Sequence, residues 1–375
     1  MAKKEFRLFS APQRYGIHAV FNQQNHSKQI GSQMIYSFKN DYSEGAHPDI
    51  LKALADTNLN QTEGYGLDPH TLNAANTIRE LARAPEADVH LISGGTQTNL
   101  IAISAFLRPH EACIAATSGH IAVHEAGAIE ATGHKLLCVD APGGKLTPDL
   151  IAPVLAQHHF EHMVKPRLVY ISNATELGTV YTLAELEALH TFCRENDLLL
   201  YADGARLGAA IMAKHSGLSL ADMYRLTDAF FIGGTKNGAL LGEALVIRNS
   251  EVKAEYRYLI KQRGGLLAKG WLLGIQFETL FKNNLYFDLA VHANTTAQQL
   301  AGELKKAGCA FLIDSPTNQI FPVMENRVIE SLSEEFSFYT WAKTDENRSA
   351  VRLITSWATP ETAVRDFIDS YNKAL

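Results

Sequence analysis

Lys236 lies in the segment Ala229-Phe-Phe-Ile-Gly-Gly-Thr-Lys-Asn-Gly238. An apolar run delivers it to a loop flanked by Gly233, Gly234 and Gly238, small residues that let a planar ligand approach the backbone. A lysine held in an apolar pocket has a lowered pKa and acts as a Schiff-base nucleophile. The competing reading is an ordinary surface lysine after a strand. Upstream, Leu198-Leu-Leu-Tyr-Ala-Asp-Gly-Ala-Arg206 ends a second apolar run with Asp203. Open α/β sheets present ligand groups at the carboxyl ends of their strands. A protonated pyridine ring, used as an electron sink, needs a carboxylate there against its nitrogen. Asp203 also suits the N-cap of a following helix, and the two roles coexist. Arg206, three residues on, has the reach for a ring hydroxyl or a substrate carboxylate.

Ser93-Gly-Gly-Thr-Gln-Thr-Asn99 follows an expected strand and opens an expected helix. Backbone N–H groups at a helix N-terminus bind phosphate. Gly94 and Gly95 permit close approach, and Thr96 adds a hydroxyl. The turn is neither a dinucleotide fingerprint nor a Walker A loop, which weighs against a nicotinamide-dependent dehydrogenase. His120 stands in Ser118-Gly-His-Ile-Ala-Val-His-Glu-Ala-Gly127. An imidazole there is suited to stack on a flat aromatic cofactor and to move protons, the alternative being a capping or core histidine. His158-His-Phe-Glu-His162 fits the inverted zincin pattern. With 15 histidines in the chain, chance matches are expected. A zincin needs a third ligand and an open position, and no acidic third ligand is signalled downstream, so no metal site is assigned.

These residues need a scaffold of apolar strands and amphipathic helices. Strands are expected at Val89–Ile92, Cys113–Ala116, Lys135–Val139, Arg167–Ser172, Leu198–Ala202, Ala229–Ile232 and Ala244–Ile247. Helices are expected over Thr98–Leu107, His120–Thr132 and residues 183–195, the last opened by a Thr182/Glu185 capping box. The alternation argues a mostly parallel sheet covered by helices on both faces. A largely helical stretch over 251–308 follows, ending at Gly308. Short strands near 309–313, 318–323 and 351–354 and a last helix opened by Thr359-Pro360 complete a second α/β unit. The implied division is an N-terminal arm over 1–44, a large domain over 45–282 and a small domain over 283–375.

The chain has 375 residues, 46% apolar and 20% charged, with a net charge of −6. No basic stripe interleaves with aromatics, which argues against nucleic acid. The charged start Met-Ala-Lys-Lys-Glu-Phe-Arg is no secretory signal, and no run approaches a membrane span. Four scattered cysteines without a CxxC pair read as reduced thiols of a cytoplasmic protein.

In their order along the chain these pieces resemble the threonine aldolase family of fold-type I enzymes, in the β-eliminating lyase group. Gly95-Thr96-Gln97 with Asn99 is similar to the family's phosphate turn. His120, followed by Glu125 and Gly127, resembles its ring-stacking segment. Asp203-Gly204-Ala205-Arg206 matches its D-G-A-R at the pyridine nitrogen, and Lys236 falls at its Schiff-base lysine. Tyr65-Gly66-Leu67-Asp68-Pro69 looks like its Y-G-D-D-P turn, whose tyrosine reaches a neighbouring active site. Thr317–Phe321 and Val351–Thr355 look like strands of its small domain, where Arg352 would grip the substrate carboxylate. The resemblance implies a seven-stranded sheet and pyridoxal 5′-phosphate (PLP) bound by Gly95, Thr96, Gln97, His120, Asp203, Arg206 and Lys236. It further implies cleavage of a β-hydroxy-α-amino acid to glycine and an aldehyde in a homodimer or homotetramer. The site is expected at the subunit interface.

Three departures from the family pattern bear on the substrate. Asn40, in Lys39-Asn40-Asp41-Tyr42, takes the place of the serine in R-S-D-T that helps to hold the carboxylate. Glu176, in Asn173-Ala-Thr-Glu-Leu-Gly178, falls where the family carries a second histidine. The G-G-G-M-R-Q segment appears as Gly264-Gly-Leu-Leu-Ala-Lys-Gly270, leaving Lys261, Arg263 and Lys269 as alternatives for its basic group. The expected catalytic set is therefore Lys236, His120 and Glu176, with Asn40, Tyr65, Arg206 and Arg352 toward substrate. β-Elimination, dehydration or transamination on the same scaffold, and an idle fold kept for binding, are the competing functions.

Overall fold

The computed structural model describes residues 36–375. The first 35 residues, most of the expected arm, lie outside the description. The chain enters through β1 (Tyr36–Ser37), followed by the strands β2 (Asp88–Ile92), β3 (Glu111–Ala116), β4 (Lys135–Val139), β5 (Lys165–Ser172), β6 (Leu199–Asp203), β7 (Ala229–Gly233) and β8 (Glu243–Ile247). β2 to β8 form one seven-stranded sheet in the order β2-β8-β7-β6-β5-β3-β4. β8 runs antiparallel to both of its neighbours, and the other pairs are parallel.

The strands at the middle of this sheet read as unbroken apolar runs because both faces are covered. Side chains alternate across a strand. Val169, Ile171, Leu200, Ala202, Phe230 and Ile232 enter one core, while Leu168, Tyr170, Leu199, Tyr201 and Phe231 enter the core on the opposite face. Helix Leu183–Glu195 covers the first face with Leu186, Leu189 and Cys193, and both halves of its Thr182/Glu185 capping box form. Helix Gly95–Phe106 covers the second with Ile101, Ala102, Ile103 and Phe106.

β9 (Ala310–Phe311), β10 (Gln319–Ile320), β11 (Pro322–Glu325), β12 (Phe336–Ser337), β13 (Tyr339–Lys343) and β14 (Arg348–Ile354) complete the strands. β14 is the centre of an antiparallel sheet, flanked by β10, β11 and β13. Helices Leu285–Lys306, Asn326–Leu332 and Glu361–Ala374 pack on it around Leu300, Val328, Leu353 and Phe367. β1 pairs with β12, and Phe38 is fully buried in this third core. The segment ahead of the large sheet is thus tied to the C-terminal one.

Several expected elements differ. The helix expected over His120–Thr132 is a short turn, His120–Val123, and a 3₁₀ turn, Glu130–Thr132. Ala126 and Gly127 between them have φ of 51° and 73°, which a right-handed helix does not accommodate. The helical stretch over 251–308 is interrupted where Glu255, Gly264, Asn283 and Asn284 take positive φ. The last helix starts at Glu361, with Pro360 rather than Thr359 at the cap. No helix among the described residues is long and apolar enough to cross a membrane.

Candidate active site

β2, β5, β6 and β7 run parallel, so Ile92, Ser172, Asp203 and Gly233 end at the same edge of the sheet. Beyond that edge lies a cavity of about 530 Å³ whose wall includes Thr96, His120, Glu176, Asp203, Lys236 and Arg352. Two glycines let its floor close. A Cβ on Gly204 would stand 1.8 Å from the Phe231 carbonyl oxygen, and one on Gly233 would stand 2.4 Å from that of Ala205. The Asp203 loop and the Lys236 loop approach this closely because neither residue carries a side chain.

Asp203 is 5% exposed and fixed from three sides. Its Oδ2 accepts from the Tyr170 hydroxyl at 2.7 Å and from Asn99 Nδ2 at 2.9 Å, and its Oδ1 accepts from Ala205 N at 2.9 Å. Asn99 Nδ2 also donates to Glu125 Oε1 at 2.8 Å, and Asn99 Oδ1 accepts from the Tyr201 hydroxyl at 3.0 Å. His120 Nδ1 lies 2.7 Å from the same Glu125 oxygen. Two buried carboxylates, an amide, two phenols and an imidazole thus form one network.

Lys236 faces this network. Burial drives its amine below the ordinary lysine value, helped by Arg206, while Asp41, Asp203 and Glu243 oppose the shift. Arg206 is engaged by Asp41 in a two-pronged pair, Nε to Oδ2 at 2.7 Å and Nη2 to Oδ1 at 3.0 Å. Asn318 Nδ2 donates to Asp41 Oδ2 as well, at 2.9 Å. Burial alone would raise the Asp41 carboxyl; Arg206, Lys236 and these hydrogen bonds outweigh it and hold the group below the usual carboxylate range.

Arg352 stands on β14 opposite Tyr339 of β13. Its guanidinium lies 4.8 Å from the Trp341 ring centre and 5.4 Å from that of Tyr339. Its buried Nε has no hydrogen-bond partner. Burial, reinforced by Arg206, lowers its pKa to about 10. A desolvated cation with an idle donor is suited to a carboxylate. Glu176 Oε1 accepts from His120 N at 2.9 Å and Ser172 Oγ at 2.8 Å. Burial raises the Glu176 carboxyl, the Ser172 bond counters it, and the charge of Asp203 adds to the rise.

At the opposite end, Thr98 N makes the first intrahelical bond, to Gly94 O at 2.9 Å. The N–H groups of Gly95, Thr96 and Gln97 therefore precede the ladder and are available to an anion. The Gln97 side chain turns away, accepting from Ser93 Oγ at 2.6 Å and donating to Arg263 O at 2.9 Å. A planar pyridine aldehyde phosphate fits this donor set, with a phosphate at the turn, a carboxylate for a ring nitrogen and a buried amine for the aldehyde carbon.

Comparison with known proteins gives the same picture. The β-eliminating lyase family model matches residues 41–327. The chain belongs to the β-eliminating lyase family. It is 32% identical over 335 residues to a low specificity L-threonine aldolase of a Pseudomonas strain, covering 88% of this chain and 95% of the relative. The Escherichia coli K12 enzyme of the same name is 29% identical over 68% of this chain and 75% of its own length. The structure of Leishmania major threonine aldolase superposes with a TM-score of 0.89 at 51% identity, covering 90% of this chain and 99% of that one. A Thermus thermophilus aspartate aminotransferase, at 16% identity and a TM-score of 0.69, shares the fold. The chain is a PLP-dependent lyase of the threonine aldolase type on a type I fold.

Not every residue singled out from the sequence reaches the cavity of this lyase. Asn40 caps its own turn, accepting from Tyr42 N at 3.0 Å and Ser43 Oγ at 2.9 Å. Its neighbour Tyr42 lines the cavity instead. Tyr65 is 43% exposed and lies outside the cavity, with Lys261 Nζ 4.6 Å from its ring centre. Lys261, Arg263 and Lys269 are also absent from the cavity wall. His158 and His162 remain on the surface side of the chain, at and beyond the end of helix Pro148–Gln157.

Sequence reasoning passed over Asp41, His124, Thr235 and Glu243. His124 lines the cavity with its ring 5.5 Å from that of His120. Burial, and then the nearby cations, hold its imidazole down to about 4. Its spacing of four residues from His120 was the available signal.

Proposed function

We propose that this chain cleaves a β-hydroxy-α-amino acid of the threonine, allo-threonine or phenylserine type to glycine and the matching aldehyde. The observation that carries the reading is the meeting, in one cavity, of a buried amine, a carboxylate fixed by three donors and an arginine with an idle donor. PLP, when bound, supplies the electron sink for the pair released as the Cα–Cβ bond breaks. Lys236 provides the amine that anchors the cofactor, its protonation disfavoured by burial and Arg206. Asp203 holds the proton at the pyridine nitrogen. His120 would help to hold the ring. The backbone N–H groups of Gly95, Thr96 and Gln97 hold the phosphate at the head of helix Gly95–Phe106.

Arg352 takes the substrate's α-carboxylate, satisfying its buried Nε. Arg206 adds positive charge to that end while its fork stays on Asp41. The β-hydroxyl proton passes to Glu176 or to His120, directly or through water. Burial raises the Glu176 carboxyl above its ordinary value, which makes its carboxylate a stronger base. Asn40 acts on the substrate end only indirectly, by shaping the turn that presents Asp41 and Tyr42.

The same reading includes a homo-oligomer in the cytoplasm. Leu51, Leu59, Tyr65, Leu67 and Leu72 are exposed apolar side chains close in sequence, the kind of surface a second copy covers. Tyr65 then serves the neighbouring site, which accounts for its distance from its own cavity. The four cysteines are free thiols, in keeping with a reducing compartment.

Incubation with threonine, allo-threonine and phenylserine tests the reaction. Glycine and aldehyde in equal amounts are expected. Keto acid and ammonia without glycine would instead assign β-elimination or dehydration.

A further inference from the structure

Glu243 is a buried carboxyl to which the mechanism above gives no task. It is 4% exposed and lines the cavity together with Ser93, Gly94, Gly95, Thr96 and Thr235. Its position follows from the sheet register. On β8 it pairs with Ile92, the last residue of β2, and on the other side with Gly233, the last of β7. The first neighbour leads straight into the turn that precedes helix Gly95–Phe106, and the second into Thr235 and Lys236. A carboxyl is therefore built between the phosphate turn and the anchoring lysine.

Its local bonds hold it there. Glu243 Oε1 accepts from Thr235 Oγ1 at 2.9 Å, and Oε2 accepts from Gly234 N at 3.2 Å. Thr235 Oγ1 in turn accepts from Gly242 N at 3.0 Å. An ionised carboxylate at this position would repel a phosphate dianion across a low-dielectric wall. The turn itself offers no compensating cation. Among the described residues of the cavity wall the lysine and arginines are Lys236, Arg206 and Arg352. Of these the two arginines belong to the Asp41 pair and the Trp341 stack.

We propose that Glu243 carries a proton in the resting protein and donates a hydrogen bond from it to the cofactor phosphate, acting as a further cofactor-binding residue. The inference rests on the PLP reading above and adds a neutral donor to its phosphate site. The groups that act on Glu243 are Lys236 on the loop between β7 and β8, Asp203 from β6, the Thr235 hydroxyl and the Gly234 N–H, with the buried phenols of Tyr201 and Tyr286 also within its electrostatic reach, while the Ser93–Thr96 turn brings no titratable side chain. Burial is the main cause that lifts its pKa to about 8; the Thr235 bond and Lys236 oppose it, and Asp203 adds to it. A neutral acid still accepts from Thr235 and Gly234 through its lone pairs while its O–H points elsewhere.

The test is binding rather than turnover. Affinities for PLP and, separately, for inorganic phosphate as a competitor are measured across pH for the wild type and for Glu243→Gln, whose amide keeps a donor and cannot ionise. The phosphorus NMR shift of bound PLP is followed in the same samples. Wild-type affinity is expected to fall by approaching tenfold per pH unit above about pH 8. The Gln variant is expected to match wild type within about threefold below that pH, where one neutral donor replaces another, and to lose the decline above it. Identical pH profiles in the two proteins would overturn the proposal and leave the cofactor reading intact. Failure of both to bind PLP at any pH would overturn the cofactor reading itself. Should the variant not fold, a pH-independent wild-type affinity and phosphorus shift between neutral pH and about pH 9 overturns the proposal alone.

Discussion

The two walls of the cavity are finished to different degrees. Around Asp203 most polar atoms already have a partner within the protein, through Asn99, Tyr170, Tyr201, Glu125 and His120, although the second Glu125 oxygen, Oε2, is left without one. Around Arg352 the guanidinium lies against two aromatic rings with a buried Nε left idle. The first wall grows from strand ends of the large sheet, where both cores clamp the backbone. The second comes from the C-terminal sheet, reached across a cleft. A saturated wall holds one ligand in one pose, and an unsaturated wall waits for a charge to complete it. On the function proposed above, the first wall would take the cofactor and the second the exchangeable substrate.

Breaking the finished wall should cost most. Removing one member of a buried charge interaction is worth about 3–5 kcal/mol, so Asp203→Ala is expected to lower turnover by roughly 10²–10⁴-fold. Steady-state kinetics at saturating PLP measures this. The hinge between the walls is the pair of Asp41 with Arg206, and Asp41→Asn leaves Arg206 buried without its counter-charge. A loss of about 3 kcal/mol of unfolding free energy in denaturant titration is expected. Because the fold holds the Asp41 carboxyl below its ordinary value of 3.8, its contribution is present above that pH and fades as pH falls through the lower, folded value. The gap between wild type and Asp41→Asn should therefore narrow in acid.

On the open wall, Arg352→Lys keeps the charge and loses the planar fork. A charged hydrogen bond contributes about 1.5–3 kcal/mol, so kcat/KM is expected to drop roughly 10- to 100-fold, chiefly through KM. The smallest effect returns to the finished wall. Tyr170→Phe removes one of three donors to Asp203, and because Asn99 and the Ala205 N–H still hold the carboxylate the expected loss is only about 1 kcal/mol, a roughly fivefold fall in kcat. If Tyr170→Phe proved as damaging as Arg352→Lys, the contrast between saturated and unsaturated walls would fail.

The finished wall was also the more legible. β6 and β7 announced themselves as apolar runs because they are buried on both faces, and Asp203 and Lys236 stand at or just beyond their ends. The open wall was harder to read. β13, Tyr339–Lys343, is partly exposed along its length and has no clean alternation, so its aromatic lining of Arg352 went unnoticed. Asp41 pairs with Arg206 across 165 positions and with Asn318 across 277, separations that no local pattern encodes. Gln97 was offered for the phosphate because of its place in the turn. Its backbone keeps that place, while its side chain is spent on Ser93 and the Arg263 carbonyl. Glu243 was hidden in an ordinary-looking buried strand, and only the register of β8 against β2 and β7 brings it to the phosphate turn.

Everything above depends on Lys236 as the covalent anchor. Borohydride reduction of the PLP-loaded protein, followed by peptide mass analysis, tests this most directly. The account predicts a yellow protein whose colour is discharged by the reagent, with a pyridoxyl group on the peptide carrying Lys236 and none in Lys236→Ala. A protein that stays colourless and unlabelled with added PLP, or a label on another lysine with Lys236→Ala fully active, would contradict it.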